Sequence, residues 1–179
     1  MRNHRTLKLA AANQRDFTIT RVFDAPRALV FDALTRPDML RHWFQGPPGW
    51  WLVDCQLDLR VGGIYRFAWQ DGEGNVFNVR GTYRAIVVPE RIVAIETFDR
   101  AWHAGEAVVT TALSEQGGKT TLSRTILDWS TRARERSRRT ESTLAKPVAA
   151  TDVGRRANHL KLYCGLLGSK SWSVRPTLS

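Results

Sequence analysis

Cysteine is scarce in this chain, which carries only Cys55 and Cys164 among 179 residues. Neither belongs to a CxxC pair or a Cys/His cluster, so no zinc spacing is present and no metal is expected. Cys55 alternates with Val53 and Leu57 and reads as a buried thiol rather than a nucleophile. No run of about 18 apolar residues occurs, which leaves no candidate membrane span. No glycine-rich phosphate loop is found, so no nucleotide cofactor is expected. Between residues 17 and 130 the only histidines are His42 and His103. No Ser/His/Asp, Cys/His or paired-carboxylate spacing accompanies them, so no catalytic residue is assigned. The apolar stretch from Leu7 to Ala12 is interrupted by Lys8 and is too short for a signal-peptide core. Residues 1–16 are therefore expected to be a disordered leader. The missing signal and the sparse cysteines point to a cytoplasmic location.

Negative charge is deficient in only one region. The net charge is +10, but residues 131–179 contain 11 Lys and Arg against 3 Asp and Glu. Residues 1–130 hold the other 16 and 14 and are nearly neutral. The basic character belongs to the tail and not to the body.

The body is marked instead by alternation. Phe17 to Phe23 alternates apolar and polar residues with period two, as a half-buried strand does. Asp24 suits a helix N-cap and Pro26 a first helical turn. Leu29, Val30, Ala33 and Leu34 form a short helical face, and Pro37 opens a second helix with Met39, Leu40, Trp43 and Phe44 as its stripe. From Trp50 onward the pattern is that of strands. The first puts Trp51, Val53, Cys55, Leu57 and Leu59 on one face. Asp58 to Gly63 is a turn whose glycines permit positive φ. Asp71-Gly72-Glu73-Gly74-Asn75 lacks the twelve-residue calcium pattern and reads as a hairpin turn. Gly81, inside a long strand from Val76 to Val88, marks a bulge or a close backbone approach. Three further strands extend to about residue 128. Short connections make neighbouring strands antiparallel, and such a sheet needs a cover for one face.

Several segments, in order and sensibly spaced, carry a resemblance. They are Val22 to Arg27, Val30 to Pro37, Leu40 to Phe44, Asp58 to Phe67 and Gly81 to Ile92. Together they resemble the bacterial START-like (Bet v 1-like, SRPBCC) proteins related to the C-terminal domain of the activator of heat-shock-protein-90 ATPase. The resemblance implies an α+β helix-grip fold: a seven-stranded curved antiparallel sheet, two short helices after the first strand, and a long C-terminal helix over an apolar cavity. It does not imply one activity, because relatives range from ligand carriers to cyclases to chaperone regulators.

Trp43, Phe44, Trp51, Phe67, Trp69, Tyr83, Phe98 and Trp102 are the expected cavity lining, since ligand sites are mostly apolar with a few polar groups. Arg66, Arg80, Arg84, Glu96 and Asp58 are read as a solvated outer face paired across strands. The expected function is non-enzymatic binding of a hydrophobic small molecule, a lipid or an aromatic. The alternative is an interaction module acting as a chaperone or stress-response co-regulator. The expected state is a monomer or weak dimer, with no nucleic-acid partner.

The family's closing helix is not legible. Thr131 to Thr140 has no apolar stripe, and Pro147 and Gly154 interrupt the residues beyond it. Residues 17–130 are therefore read as the domain and residues 131–179 as an atypical basic tail. A phosphate-binding arm and a shifted reading frame near residue 131 both account for it. The lack of any helical face for the charge favours a shifted frame or divergence. Resequencing the gene distinguishes these readings. A corrected frame that restores an amphipathic helix after residue 130 is the expected result, and a confirmed basic tail overturns it.

Overall fold

The structure is a computed structural model that describes residues 7–11, 16–46, 48–98 and 106–128. The side chains of Leu9, Ala11, Phe98 and Asp128 are outside the description, as are Trp102, His103, Cys164 and the tail from residue 129. The chain opens with strands β1 (Lys8–Ala11) and β2 (Phe17–Phe23). Helices α1 (Arg27–Thr35) and α2 (Pro37–Trp43) come next. A meander then runs through β3 (Trp50–Leu57), β4 (Ile64–Asp71), β5 (Val76–Val87), β6 (Arg91–Phe98), β7 (Glu106–Gln116) and β8 (Lys119–Asp128). The sheet order is β1-β2-β8-β7-β6-β5-β4-β3, antiparallel throughout, and the sheet is curled into a half-barrel. The two helices carry the chain from β2 to the far edge at β3, and the meander brings it back beside β2.

The α+β class, the seven strands and the two helices after the first of them are as the alternation implied. One strand is additional. Lys8–Ala11 pairs with Phe17–Thr20, so this part of the stretch read as a disordered leader is in the sheet. Four residues give too short a pattern to read, and an edge strand is held by backbone bonds that leave no trace in side-chain alternation. Asp24 is a second difference. Pro26 occupies the N-cap of α1 without a side-chain cap, and Asp24 instead pairs with Lys119 at 2.8 Å.

Two indole N–H groups tie the helices to their surroundings. Trp43 Nε1 donates to the Ala33 carbonyl at 2.9 Å, locking α2 onto α1. Trp69 Nε1, on a side chain only 1% exposed, donates to the Phe44 carbonyl at 2.9 Å and pins the end of α2 to the sheet. Buried indoles need such partners, and here they fix where the helices sit. The largest core cluster forms between them, with Leu40, Cys55, Tyr65, Phe67, Trp69 and Phe77 among its members. A second cluster packs Val30 and Phe31 of α1 on Phe23, Leu113 and Leu122.

Gly81 shows a close approach and not a bulge; the shift in β5 pairing falls between Tyr83 and Ala85. Across three strands, Tyr65 lies opposite Gly81, and Gly81 lies opposite Glu96. The Tyr65 ring lies over Gly81, and its hydroxyl donates to Glu96 Oε1 at 2.5 Å. A Cβ at Gly81 would overlap Tyr65 Cζ and Oη. Glycine is needed here for space, as β5 passes beneath the ring. Gly81→Ala is expected to cost about 2–4 kcal/mol, from overpacking and the lost hydrogen bond. Denaturant unfolding reads the loss, and an unchanged midpoint would contradict it.

Candidate functional site

The concave face of the sheet encloses a cavity of about 70 Å³. A buried water needs about 10–15 Å³ on this scale, so the space takes several waters or one small apolar group. Period two sets the inward residues of each strand. On β4 these are Tyr65, Phe67 and Trp69, and on β5 Val79 and Tyr83. Strand β6 supplies Ile92, Ala94 and Glu96, while α2 and its C-terminal end bring Leu40, Trp43 and Phe44 over the opening. Phe44 meets Phe67 and Trp69 edge-on, with ring centroids 5.1 and 5.0 Å apart.

Five of the eight expected lining residues, Trp43, Phe44, Phe67, Trp69 and Tyr83, are brought together here. Trp51 is not, and its assignment is corrected. Its side chain is 54% exposed and Val53 is 55% exposed, both on the outer surface. The cause is a register shift between Leu52 and Asp54 in the pairing of β3 with β4. Before it, Trp50 and Leu52 pack inward; after it, Cys55 and Leu57 do. A bulge reverses the parity of every later residue, so strict alternation fails across it. Phe98 belongs to β6, but its side chain is outside the described residues, and so is Trp102.

The cavity has a polar floor. Glu96 is 1% exposed, which corrects its reading as an outer-face residue. Its Oε1 accepts from Tyr65 Oη and from Arg124 Nη2, each at 2.5 Å. Arg124 Nη1 donates to Thr111 Oγ1 at 3.3 Å, its direct neighbour across β7 and β8. A buried carboxylate is tolerated only with such compensation. Arg66, Arg80, Arg84 and Asp58 are exposed, as expected of them. Arg66 pairs with Asp54 on the neighbouring strand at 3.3 Å.

Glu96, Thr111 and Arg124 are cavity residues that the sequence reading misses, although a signal is present. Each occupies an inward position between inward apolar residues: Ala94 before Glu96, Val109 and Leu113 around Thr111, Leu122 and Ile126 around Arg124. A charge at an inward parity position is more informative than its average tendency to be solvated.

Burial pushes the Tyr83 phenol well above its ordinary pKa; the Arg124 charge lowers it and the Glu96 charge raises it. The phenol therefore stays protonated at neutral pH. Burial likewise raises the Cys55 thiol, with Arg41 acting in the opposite direction. Cys55 is 3% exposed and packs in the core as expected. His42 is exposed on α2 with Nδ1 2.7 Å from the Asp38 carbonyl oxygen, away from the cavity. The Asp71 loop is a hairpin turn, its carboxylate accepting from the Glu73 and Asn75 amides at 3.0 and 2.8 Å. Among the described residues, no helix is long and apolar enough to cross a membrane.

A family model described as "Activator of Hsp90 ATPase homolog 1-like protein" matches residues 24–147, more than half of the chain. No curated protein sequence matches significantly. Among solved structures, a Rhodobacter sphaeroides protein is similar with 23% identity and a TM-score of 0.65, covering 91% of this chain and 95% of its own. An Arthrobacter aurescens protein has 15% identity and a TM-score of 0.65, with 98% and 97% covered. An AHSA1 protein from Silicibacter pomeroyi has 17% identity and a TM-score of 0.58, with 85% and 92% covered. At these identities the likeness is one of fold.

Proposed function

We propose that this chain, which belongs to the activator of Hsp90 ATPase homolog 1-like family, binds a small hydrophobic molecule, a lipid segment or an aromatic, in the cavity of its sheet. The observation that carries this reading is the composition of that cavity. Aromatic walls from Trp43, Phe44, Phe67 and Trp69 stand over a small cluster of polar groups. Mostly apolar pockets with a few placed polar groups are the general form of a small-molecule site. The alternative is a protein-interaction module with a chaperone partner. It draws on the family description and on Trp51 and Val53, exposed on the edge strand β3. An exposed apolar edge is a surface that partners can use.

Native mass spectrometry of the protein purified under gentle conditions tests the binding role. The expected result is a fraction carrying an added small-molecule mass, lost in the cavity-filling variant Ala94→Leu. Ala94 is 3% exposed and lines the cavity, so a larger side chain there takes ligand space. Only bare protein in every preparation, together with a chaperone retained in pull-downs, would favour the interaction module.

A further inference from the structure

The polar floor holds donors and acceptors, several of them paired with one another. Arg124 lines the cavity, and a guanidinium only donates. Glu96 Oε1 already accepts two hydrogen bonds, and the Tyr65 hydroxyl is engaged in one of them. Tyr83 is different. It lines the cavity and is 4% exposed, yet among the described residues its hydroxyl has no hydrogen-bond partner. Its ring is held by that of Tyr65, with centroids 4.9 Å apart. A hydroxyl that opens on an apolar space without a protein partner gains when an acceptor enters that space.

Charge narrows the choice of ligand further. The Arg124 guanidinium and the Glu96 carboxylate neutralise one another across 2.5 Å. An anionic ligand placed against this floor would meet the Glu96 carboxylate, and a cationic one would meet Arg124. Either would also have to shed its own hydration without a free counter-charge.

Resting on the binding role proposed above, we infer that the cavity selects an uncharged molecule with one hydrogen-bond acceptor, a ketone or ester oxygen, at the end of a ring or short chain. Tyr83 Oη is the donor that reads that acceptor. The aromatic walls take the ring, and the paired charges beneath exclude ions.

Four single-ring probes test this: acetophenone, ethylbenzene, benzoate and benzylamine, each titrated into ¹⁵N-labelled full-length protein and followed by chemical-shift changes. Acetophenone is expected to bind about fivefold to tenfold more tightly than ethylbenzene, the value of one net hydrogen bond. Benzoate and benzylamine are expected to bind more weakly than ethylbenzene. In Tyr83→Phe the ratio of acetophenone to ethylbenzene affinity should fall towards one. Equal binding of these two probes by the parent protein overturns the inference while leaving the binding role standing. Tightest binding of benzoate or benzylamine does the same. A ratio that survives in Tyr83→Phe overturns the role of that hydroxyl. Binding of none of the four overturns both the inference and the cavity reading.

Discussion

A carboxylate sealed inside a β-sheet sets the terms for the rest of this molecule. Glu96 is 1% exposed, and an uncompensated charge at that depth would cost several kcal/mol. Three features on different strands compensate it. Tyr65 donates from β4, Arg124 donates from β8, and Gly81 on β5 leaves the space through which the Tyr65 ring reaches across. The three are linked in function: a side chain at Gly81 displaces the ring, and a displaced ring removes a donor from the carboxylate. Strand register places them, so the pairing of β4, β5 and β6 and the floor of the cavity are the same constraint seen at two scales.

The walls arise from simpler physics. Aromatic side chains on the inward parity of β4 and β5 bury large areas, and the end of α2 adds Trp43 and Phe44. The indole bonds of Trp43 and Trp69 position that helix without enclosing any charge. The cavity therefore combines an apolar wall with a floor of paired polar groups, and the selectivity proposed above rests on that contrast. Affinity would come from the wall and selection from the floor.

Much of this is legible in the sequence because alternation is a direct record of sheet geometry. The strands carrying Phe67, Trp69 and Tyr83 are found through alternation and the residues themselves through their aromatic rings, and Gly81 is marked as a bulge or a close approach because a lone glycine inside a strand has few other uses. Alternation fails at Trp51, where a bulge in β3 reverses parity and nothing in the residue types announces it. Glu96 is misread for the opposite reason. Its parity is correct, but its charge is weighed by its general preference for solvent. Its partner Arg124 lies 28 residues away, and only the register of the strands brings the two together. Lys8–Ala11 escapes notice because an edge strand of four residues is specified mainly by backbone pairing. The expectations for Trp102 and for the tail lie outside the described residues.

The most direct measurement of the central claim is a double-mutant cycle between Tyr65→Phe and Glu96→Gln, read by denaturant unfolding. Tyr65 and Glu96 are 31 residues apart in sequence, and their contact depends on the passage over Gly81. Bonded partners in a buried site are expected to couple by about 1–3 kcal/mol, so the double variant should lose less stability than the two single losses combined. Additive losses, with no coupling beyond about 0.3–0.5 kcal/mol, would contradict the account.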